Sequence, residues 1–251
     1  MKISAVILAK NEGKLIAQCI KSIDFCDEIV VIDDFSSDKT ISIAESLGAK
    51  VFQRKLDSDF SKQRNFGLEK ANSDWIIYID SDEVVSEELK KEIKNVLIED
   101  NNLTSYRLRR RDYFWNTEMR FGETAQARNQ GVIRLIKKGR NRWFGSVHEK
   151  YIASDQIGQL NGFVNHYPHQ TVNEFINSVN FYSTLRAKEL FKEGKKANIF
   201  QLIFYPFGKF IYNYILKRGF LDGYSGFVYC FMMSFHSFLV RAKLLQYTLY
   251  D

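Results

Sequence analysis

The 251-residue chain is long enough for an α/β domain with an appendage, and its 45% hydrophobic and 26% charged residues exclude a disordered or collagen-like protein. Three cysteines without C-x-x-C spacing exclude a disulfide framework and a zinc ribbon, and they are typical of a reducing compartment. The net charge of +6 is uneven, since residues 107–142 hold eleven Lys/Arg against three Asp/Glu. This balance favours a partner that carries phosphate groups.

The first hundred residues alternate between apolar runs, which predict strands, and segments with helical spacing. The predicted strands are residues 3–8, 28–32, 49–53 and 75–79. The predicted helices are residues 14–23, a segment that ends at residue 47 and whose N-cap side chain comes from residues 36–38, and residues 60–72 and 86–98. Continuous apolar strands separated by helices indicate an α/β fold whose mostly parallel sheet is covered on both faces. Ligands of such sheets bind beyond the carboxyl ends of the strands.

The pattern changes after residue 103. We expect strands over residues 105–111, 131–137 and 145–152, and helices from residue 171 onward. The last 51 residues contain fifteen of the 37 aromatic residues, but no uninterrupted run of about 20 apolar residues. They are expected to form interfacial helices on an anionic leaflet, or a helical subdomain packed on the sheet, and these alternatives are compatible. The apolar run at the N-terminus is too short for a signal peptide, so we expect a protein of the cytosolic side.

Acidic residues follow the fourth predicted strand, in the sequence Asp80-Ser81-Asp82. Two carboxylates one residue apart can face one cation, and Mg²⁺ or Mn²⁺ binds one or two carboxylates together with substrate phosphates. Asp80 and Asp82 therefore form a candidate metal site that would also hold a diphosphate. The alternative is a solvated acidic turn at the start of the next helix.

Polar residues also follow the first two strands, and a helix after the third strand carries an arginine. Asp33 or Asp34 could accept a hydrogen bond from a base or a ribose. Arg64 and Asn65 could reach the phosphate side of the same crevice, although Arg64 taken alone would be interpreted as a surface charge.

Three segments of the first 100 residues together resemble the nucleotide-sugar half of a GT-A glycosyltransferase of family 2. They are ISAVILAKNEG, EIVVIDDFSSDKT and SKQRNFGLEKANSDWIIYIDSDE. The resemblance implies a Rossmann-like nucleotide-sugar domain and the following binding residues: Asn11, Glu12 and Asp33 or Asp34 at the uridine, Arg64 and Asn65 at the diphosphate or sugar, and Asp80 with Asp82 as the D-x-D metal motif. Many family members have Asp-Asp-Gly-Ser where this chain has Asp33-Asp34-Phe35-Ser36, so the base-reading aspartate stays open.

Segments of the second half resemble the lipopolysaccharide-core β-1,4-glucosyltransferase branch of this family. They are VIRL, WFGSVHE, HYP and GFLDG, and the similarity extends through the tail. The resemblance implies inverting transfer of a hexose, glucose from UDP-glucose, to an inner-core heptose. It implies a phosphorylated, lipid-anchored acceptor and a peripheral location on the cytoplasmic face of the inner membrane. A capsule, exopolysaccharide or other lipid-linked glycan is the alternative acceptor.

Inverting transfer needs a general base for the acceptor hydroxyl. In many relatives in this family the base is an Asp or Glu late in the domain, so the resemblance implies Glu149 as the first candidate, with His148 as the alternative base or a positioning group. Adjacent strand residues face opposite sides, so only one of the two can enter the cleft. We expect a transferase domain over residues 1–170, with a nucleotide-sugar half (1–100) and an acceptor half (101–170), followed by a helical extension over 171–251.

Other classes of protein fit the sequence less well. A nucleotidyltransferase usually carries a glycine-rich phosphate loop after the first strand, which is missing from Ala9-Lys10-Asn11-Glu12-Gly13. A nucleic-acid partner is not expected, because no helix-turn-helix, zinc finger or RNP-type run accompanies the basic residues. An inactive glycan- or nucleotide-binding protein is the non-enzymatic alternative, and the retained D-x-D pair and candidate base argue against it.

Overall fold

A computed structural model describes residues 1–99, 102–139, 142–145, 149–153, 156–169 and 171–250. The chain forms two compact units. The first contains Met1–Arg110 and Asn129–His166, and the second contains Arg111–Arg128 and Tyr167–Asp251.

The described part of the chain contains eleven strands and eight α-helices, together with short 3₁₀ helices over Gly122–Thr124 and Gly219–Asp222 and a π-helical segment over Tyr212–Leu216. The strands are β1 (Ile3–Ala9), β2 (Glu28–Asp33), β3 (Lys50–Gln53), β4 (Trp75–Asp80), β5 (Glu83–Val85), β6 (Ser105–Phe114), β7 (Thr117–Met119), β8 (Val132–Lys137), β9 (Trp143–Phe144), β10 (Lys150–Tyr151) and β11 (Ile157–His169). The helices are α1 (Ile16–Ser22), α2 (Thr40–Ser46), α3 (Phe60–Lys70), α4 (Glu87–Ile98), α5 (Ala125–Gln130), α6 (Val172–Lys192), α7 (Ile199–Ile211) and α8 (Gly223–Tyr250).

The main sheet has the order β3-β2-β1-β4-β8-β6-β11-β5, and β7 pairs with the end of β6. Strands β1 to β4 are parallel, whereas β8 is antiparallel to β4 and to β6, and β5 is antiparallel to β11. The predicted α/β fold with a mixed, mostly parallel sheet is confirmed. Of the strand expected over residues 145–152, the structure shows β10, which pairs antiparallel with β9, while residues 146–148 lie outside the described residues.

Both faces of the central strands are buried, which explains their continuous apolar sequence. On β1, Ile3, Ala5 and Ile7 belong to one core cluster and Val6 belongs to the other. Gly67 of α3 faces Val6 so closely that a Cβ atom at Gly67 would overlap the Val6 side chain. The absence of a side chain therefore lets α3 pack close to β1.

The second unit has a core of its own. Phe114 and Met119 pack with Phe175 of α6 and Met232 of α8. A second cluster joins α6 and α8 and includes Ala187 and Leu244. The boundary that the sequence predicts after residue 170 assigns residues 111–128 to the transferase domain, whereas contacts group them with the C-terminal helices. Side-chain packing of the β6–β7 hairpin determines this grouping, and the local sequence pattern does not reveal it.

One stretch in the described part of the chain, Gly219–Tyr250, is long and apolar enough to cross a membrane by length and composition. Core helices of soluble proteins also meet this criterion.

Candidate active site

Hydrogen bonds join the loop after β1 to the loop after β2 at the carboxyl edge of the sheet. Asn11 donates its backbone N–H to Ser36 Oγ at 2.8 Å and accepts from the Ser37 backbone N–H at 2.8 Å. Glu12 donates its backbone N–H to Thr40 Oγ1 at 2.8 Å. Asn11 and Glu12 therefore lie near Asp33, the last residue of β2, and Asp34, as expected for polar residues at the carboxyl ends of neighbouring parallel strands.

The two aspartates of this loop differ in their hydrogen bonding. Asp34 accepts from Lys10 Nζ at 2.6 Å and from the Leu56 backbone N–H at 3.0 Å, so both of its oxygens are used. Asp33 accepts from the Ser36 backbone N–H at 2.8 Å through Oδ2, whereas its buried Oδ1 has no partner among the described residues. A buried acceptor without a donor is costly, and a ligand N–H or O–H would satisfy it. The geometry favours Asp33 over Asp34 as the acceptor for a nucleoside.

Two arginines bind Asp80, the first carboxylate of the D-x-D sequence. Arg134 of β8 donates Nη2 to Oδ2 at 2.6 Å and Nη1 to Oδ1 at 3.2 Å. Arg64 of α3 donates Nη2 to Oδ1 at 3.0 Å. Both guanidinium side chains are at least nine-tenths buried. Arg64 is thus part of the buried cluster rather than a surface charge.

This buried cluster perturbs ionisation. Burial alone would raise the pKa of Asp80, but the positive charges of Arg134 and Arg64 outweigh it and hold the pKa well below its usual range. Burial raises the pKa of neighbouring Glu83, although Arg134 opposes the change. Glu83 also accepts the Asp80 backbone N–H at 2.8 Å, which fixes the turn after β4. A site with such perturbed groups is a candidate functional site.

Arg64 connects the D-x-D carboxylate to the candidate base. Its Nε donates to Glu149 Oε1 at 2.7 Å, its guanidinium lies 5.0 Å from the centroid of the Trp143 ring, and its buried Nη1 has no partner among the described residues. Asn65 bonds the backbone N–H and C=O of Trp143, at 2.9 Å each, through its two amide atoms. Asn65 therefore positions β9, while Arg64 retains a donor that an anionic ligand could use.

Asp82 faces His166 at the end of β11. The Asp82 Oδ2 and His166 Nε2 atoms are 3.3 Å apart, and the antiparallel pairing of His166 with Glu83 brings them together. Among the described residues no cluster of three His, Cys, Asp or Glu could hold a metal. A carboxylate with an imidazole nevertheless suits Mn²⁺ when diphosphate oxygens and water complete the coordination. The predicted metal pair was Asp80 with Asp82, but both carboxylate oxygens of Asp80 accept hydrogen bonds from Arg64 and Arg134. The residues present therefore fit a divalent ion held mainly by Asp82 and His166.

Three features of this site were not identified from the sequence. Arg134 and Glu83 were not chosen as site residues, and β11, which carries His166, was not assigned as a strand. A charged residue inside the apolar run V-I-R-L was the available signal, because a buried arginine requires an acidic partner. The alternative base, His148, lies outside the described residues.

Many of the basic residues in 107–142 pair with acids of their own unit. Arg110 lies 3.9 Å from Glu83, Arg142 lies 2.9 Å from Glu69, and Arg128 lies 2.9 Å from Glu118. The excess of positive charge in this segment is therefore partly neutralised by ion pairs within the chain, and it is a weaker indication of a phosphate-bearing partner than the sequence suggests.

Comparisons with known proteins agree with this fold. The chain is 32% identical to an uncharacterized glycosyltransferase of Rickettsia typhi, over 99% of this chain and 88% of the relative. It is 29% identical to the lipopolysaccharide core biosynthesis glycosyltransferase LpsC of Rhizobium meliloti, over 98% and 93%. The structure of S. aureus TarS 1–349 in complex with UDP-GlcNAc is similar in fold, with a TM-score of 0.51 and 13% identity over 100% of this chain and 93% of that chain.

The family assignment rests on more than half of the chain. Residues 4–153 match the Glycosyl transferase family 2 description, and this range includes every predicted site residue from Asn11 to Glu149. The chain therefore belongs to glycosyltransferase family 2.

Proposed function

We propose that this protein transfers a hexose from a UDP-sugar to a hydroxyl of a phosphorylated, lipid-anchored glycan with inversion at the anomeric carbon. In its specific form the donor is UDP-glucose and the acceptor is an inner-core heptose of lipopolysaccharide, at the cytoplasmic face of the inner membrane. The observation that carries the proposal is the ion-pair chain Glu149–Arg64–Asp80, which links a candidate base to the D-x-D carboxylate.

The cluster contains the groups that one in-line displacement needs. Glu149 would accept the proton of the acceptor hydroxyl, and that oxygen would form the new bond to the anomeric carbon. The bond from the anomeric carbon to the diphosphate oxygen would break at the same time, so the electron pair leaves with UDP. A single displacement inverts the configuration.

The leaving diphosphate must be neutralised. Arg64 and Arg134 carry positive charge at the buried end of the site, and the unpartnered Nη1 of Arg64 could donate to a phosphate oxygen. A divalent ion held by Asp82 and His166 would supply Lewis-acid stabilisation of the same charge.

Two observations support the choice of substrates. The structural neighbour TarS was solved with UDP-GlcNAc, and in this chain Asp33 at the carboxyl end of β2 has a buried oxygen without a donor among the described residues. The relative LpsC is named for lipopolysaccharide core biosynthesis and matches nearly the whole length. A capsule, exopolysaccharide or other lipid-linked glycan is the second candidate acceptor.

The test measures UDP release from a panel of UDP-sugars in the presence of purified lipopolysaccharide core, with and without EDTA. It compares wild type with Asp82→Ala and with Glu45→Ala, a control at an exposed carboxylate of α2. We expect EDTA-sensitive turnover with UDP-glucose that Asp82→Ala loses and Glu45→Ala retains.

Other outcomes would revise the proposal in defined ways. UDP binding without turnover on this acceptor would contradict the core-heptose assignment and favour another glycan. Absence of UDP binding would overturn the proposal that the donor is a UDP-sugar.

A further inference from the structure

The geometry points to a membrane-binding surface on the second unit, built from α7 and the start of α8. We call it the aromatic surface, and it consists of the exposed apolar side chains in residues 199–231. The inferred partner is the surface of an anionic bilayer, on which these helices would lie flat. This inference concerns binding alone and does not depend on the proposed reaction.

Most of the apolar side chains of helix α7 are exposed. None of its residues is buried, and Phe200, Phe204 and Phe207 are 68%, 62% and 65% exposed. Together with Ile199, Ile203 and Ile211, they recur at the three- and four-residue spacing that places side chains along one side of a helix. Monomeric soluble proteins rarely expose a continuous apolar stripe of this kind without a partner.

The exposed apolar surface continues beyond α7. Leu216 and Leu221, in the turns between α7 and α8, are 69% and 53% exposed. Tyr224, Phe227 and Phe231 of α8 are also exposed and again recur at three- and four-residue spacing. Aromatic side chains with polar tips are favoured at the boundary between lipid and water.

Charge distinguishes an anionic bilayer from other apolar partners. Residues 193–251 contain seven Lys/Arg and three acidic residues, Glu193, Asp222 and Asp251, and one of the seven, Lys209, pairs with Glu123 at 3.0 Å. Asp222 is buried and accepts the backbone N–H groups of Arg120 and Phe121, so its charge is held inside the unit. Lys195 and Lys196, just before α7, are exposed. An apolar helix with a basic edge is typical of binding to anionic headgroups.

Packing of α8 favours helices that lie on the membrane over a helix that spans it. Leu244 of α8 belongs to a buried cluster with Ala187 and Leu190 of α6. Lys243 donates to Asn180 and Ser183 of α6 at 2.7 and 2.8 Å. A helix held to its neighbour by apolar contacts and hydrogen bonds would have to break them in order to cross the bilayer alone.

The test uses the full-length protein and sedimentation with vesicles of phosphatidylcholine, with and without phosphatidylglycerol, at low and high salt. Three proteins are compared with wild type: Phe204→Glu/Phe207→Glu in α7, Lys195→Glu/Lys196→Glu at the basic edge, and the control Ile98→Glu in α4. Ile98 is 81% exposed and belongs to the first unit. Circular dichroism and thermal unfolding check that each variant is folded.

We expect wild type and Ile98→Glu to bind vesicles that contain phosphatidylglycerol. The α7 variant should lose at least about tenfold in partitioning, and the lysine variant should lose most of its preference for the anionic lipid. High salt should release the wild-type protein.

Three results would overturn the inference. One is a wild-type protein that stays in the supernatant with anionic vesicles. The second is an α7 variant that binds as wild type does. The third is protein that high salt leaves on the vesicles and that only detergent releases, which would indicate a spanning helix. A second copy of the chain is the alternative partner of the aromatic surface. Sedimentation of the protein without vesicles tests this: oligomers that the α7 variant does not form would contradict the membrane proposal, and monomers would exclude self-association.

Discussion

Arg134 on β8 donates Nη2 to Oδ2 of Asp80 on β4 at 2.6 Å, and its guanidinium also lies 3.6 Å from Glu83. Burying the charge of Asp80 without this partner would cost free energy, and so would burying the charge of Arg134 without Asp80. Breaking such a pair from one side leaves the other charge uncompensated. The pair is therefore the part of the site whose loss should affect stability as well as binding.

Arg134→Met should lower the free energy of unfolding by about 3 kcal/mol, because Asp80 and Glu83 would lose their main counter-charge. Arg134→Met/Asp80→Asn should regain part of that loss, since the buried negative charge is removed as well. Urea unfolding of both variants and wild type measures the difference. Arg142→Met is the control, because its ion pair with Glu69 is solvent-exposed and should change stability by less than about 1 kcal/mol. Strictly additive losses in the double variant would contradict the coupling.

Glu149→Gln should reduce kcat by about 10²–10⁴-fold while UDP still binds with unchanged affinity. The amide oxygen of glutamine can accept the Arg64 Nε–H as Glu149 does, so the change removes the base but not the hydrogen bond. Single-turnover kinetics and calorimetric titration with UDP separate the two effects. Loss of UDP affinity that matches the loss of kcat would show that Glu149 acts only by holding Arg64.

Apart from the three-residue strand β5, the order of strands and helices in the first hundred residues could be predicted from the sequence, because the signal there is local. Buried parallel strands are continuous apolar runs, and Ser86 at the start of α4 accepts the Leu89 backbone N–H, as its sequence position predicts. The sequence also predicted that Asp33 and Asp80 would lie near other polar groups, because both residues stand at the carboxyl ends of parallel strands. This placement follows from the topology of the sheet alone.

The remainder depends on contacts between distant segments. Arg134 reaches Asp80, and His166 reaches Asp82, only through the pairing of β8 with β4 and of β11 with β5. A single sequence carries no local signal for such a register. The placement of the β6–β7 hairpin also depends on a distant segment. Phe114 packs in the core of the second unit with Phe175, which lies 61 positions further along the chain.

Phe35→Gly should raise stability and weaken UDP binding. Phe35 has φ of +52°, a left-handed conformation that glycine adopts freely and that costs other residues of order 1 kcal/mol. Its ring is 59% exposed in the loop that follows Asp33, so it is available to contact a bound nucleoside. Thermal unfolding and calorimetric titration with UDP test both effects. Equal UDP affinity in the variant would mean that the ring makes no contact with the nucleoside.

Trp115→Gly is the matched control for that experiment. Trp115 also has positive φ, +49°, and is 43% exposed, but it belongs to the second unit and stacks on Phe114. Its replacement should leave UDP affinity unchanged.

Glu28→Gln should lower stability at neutral pH by about 1–2 kcal/mol, because Glu28 is a hydrogen-bonded carboxylate at the start of β2. It accepts from Ser4 Oγ at 2.7 Å, Lys50 Nζ at 2.8 Å and the Asn72 backbone N–H at 2.8 Å. Burial would raise its pKa, but these donors outweigh burial and lower the pKa to about 2. A pKa that is lower in the folded state stabilises the fold above the unfolded-state pKa of about 4.3, and this contribution is lost as the pH falls toward 2.

Urea unfolding of wild type and variant at pH 7 and pH 3 measures this contribution. The difference in the free energy of unfolding should be smaller at pH 3, while the exposed-site control Glu45→Gln shows little change at either pH. A difference that does not shrink at pH 3 would mean that the contribution comes from packing rather than from the charge of Glu28.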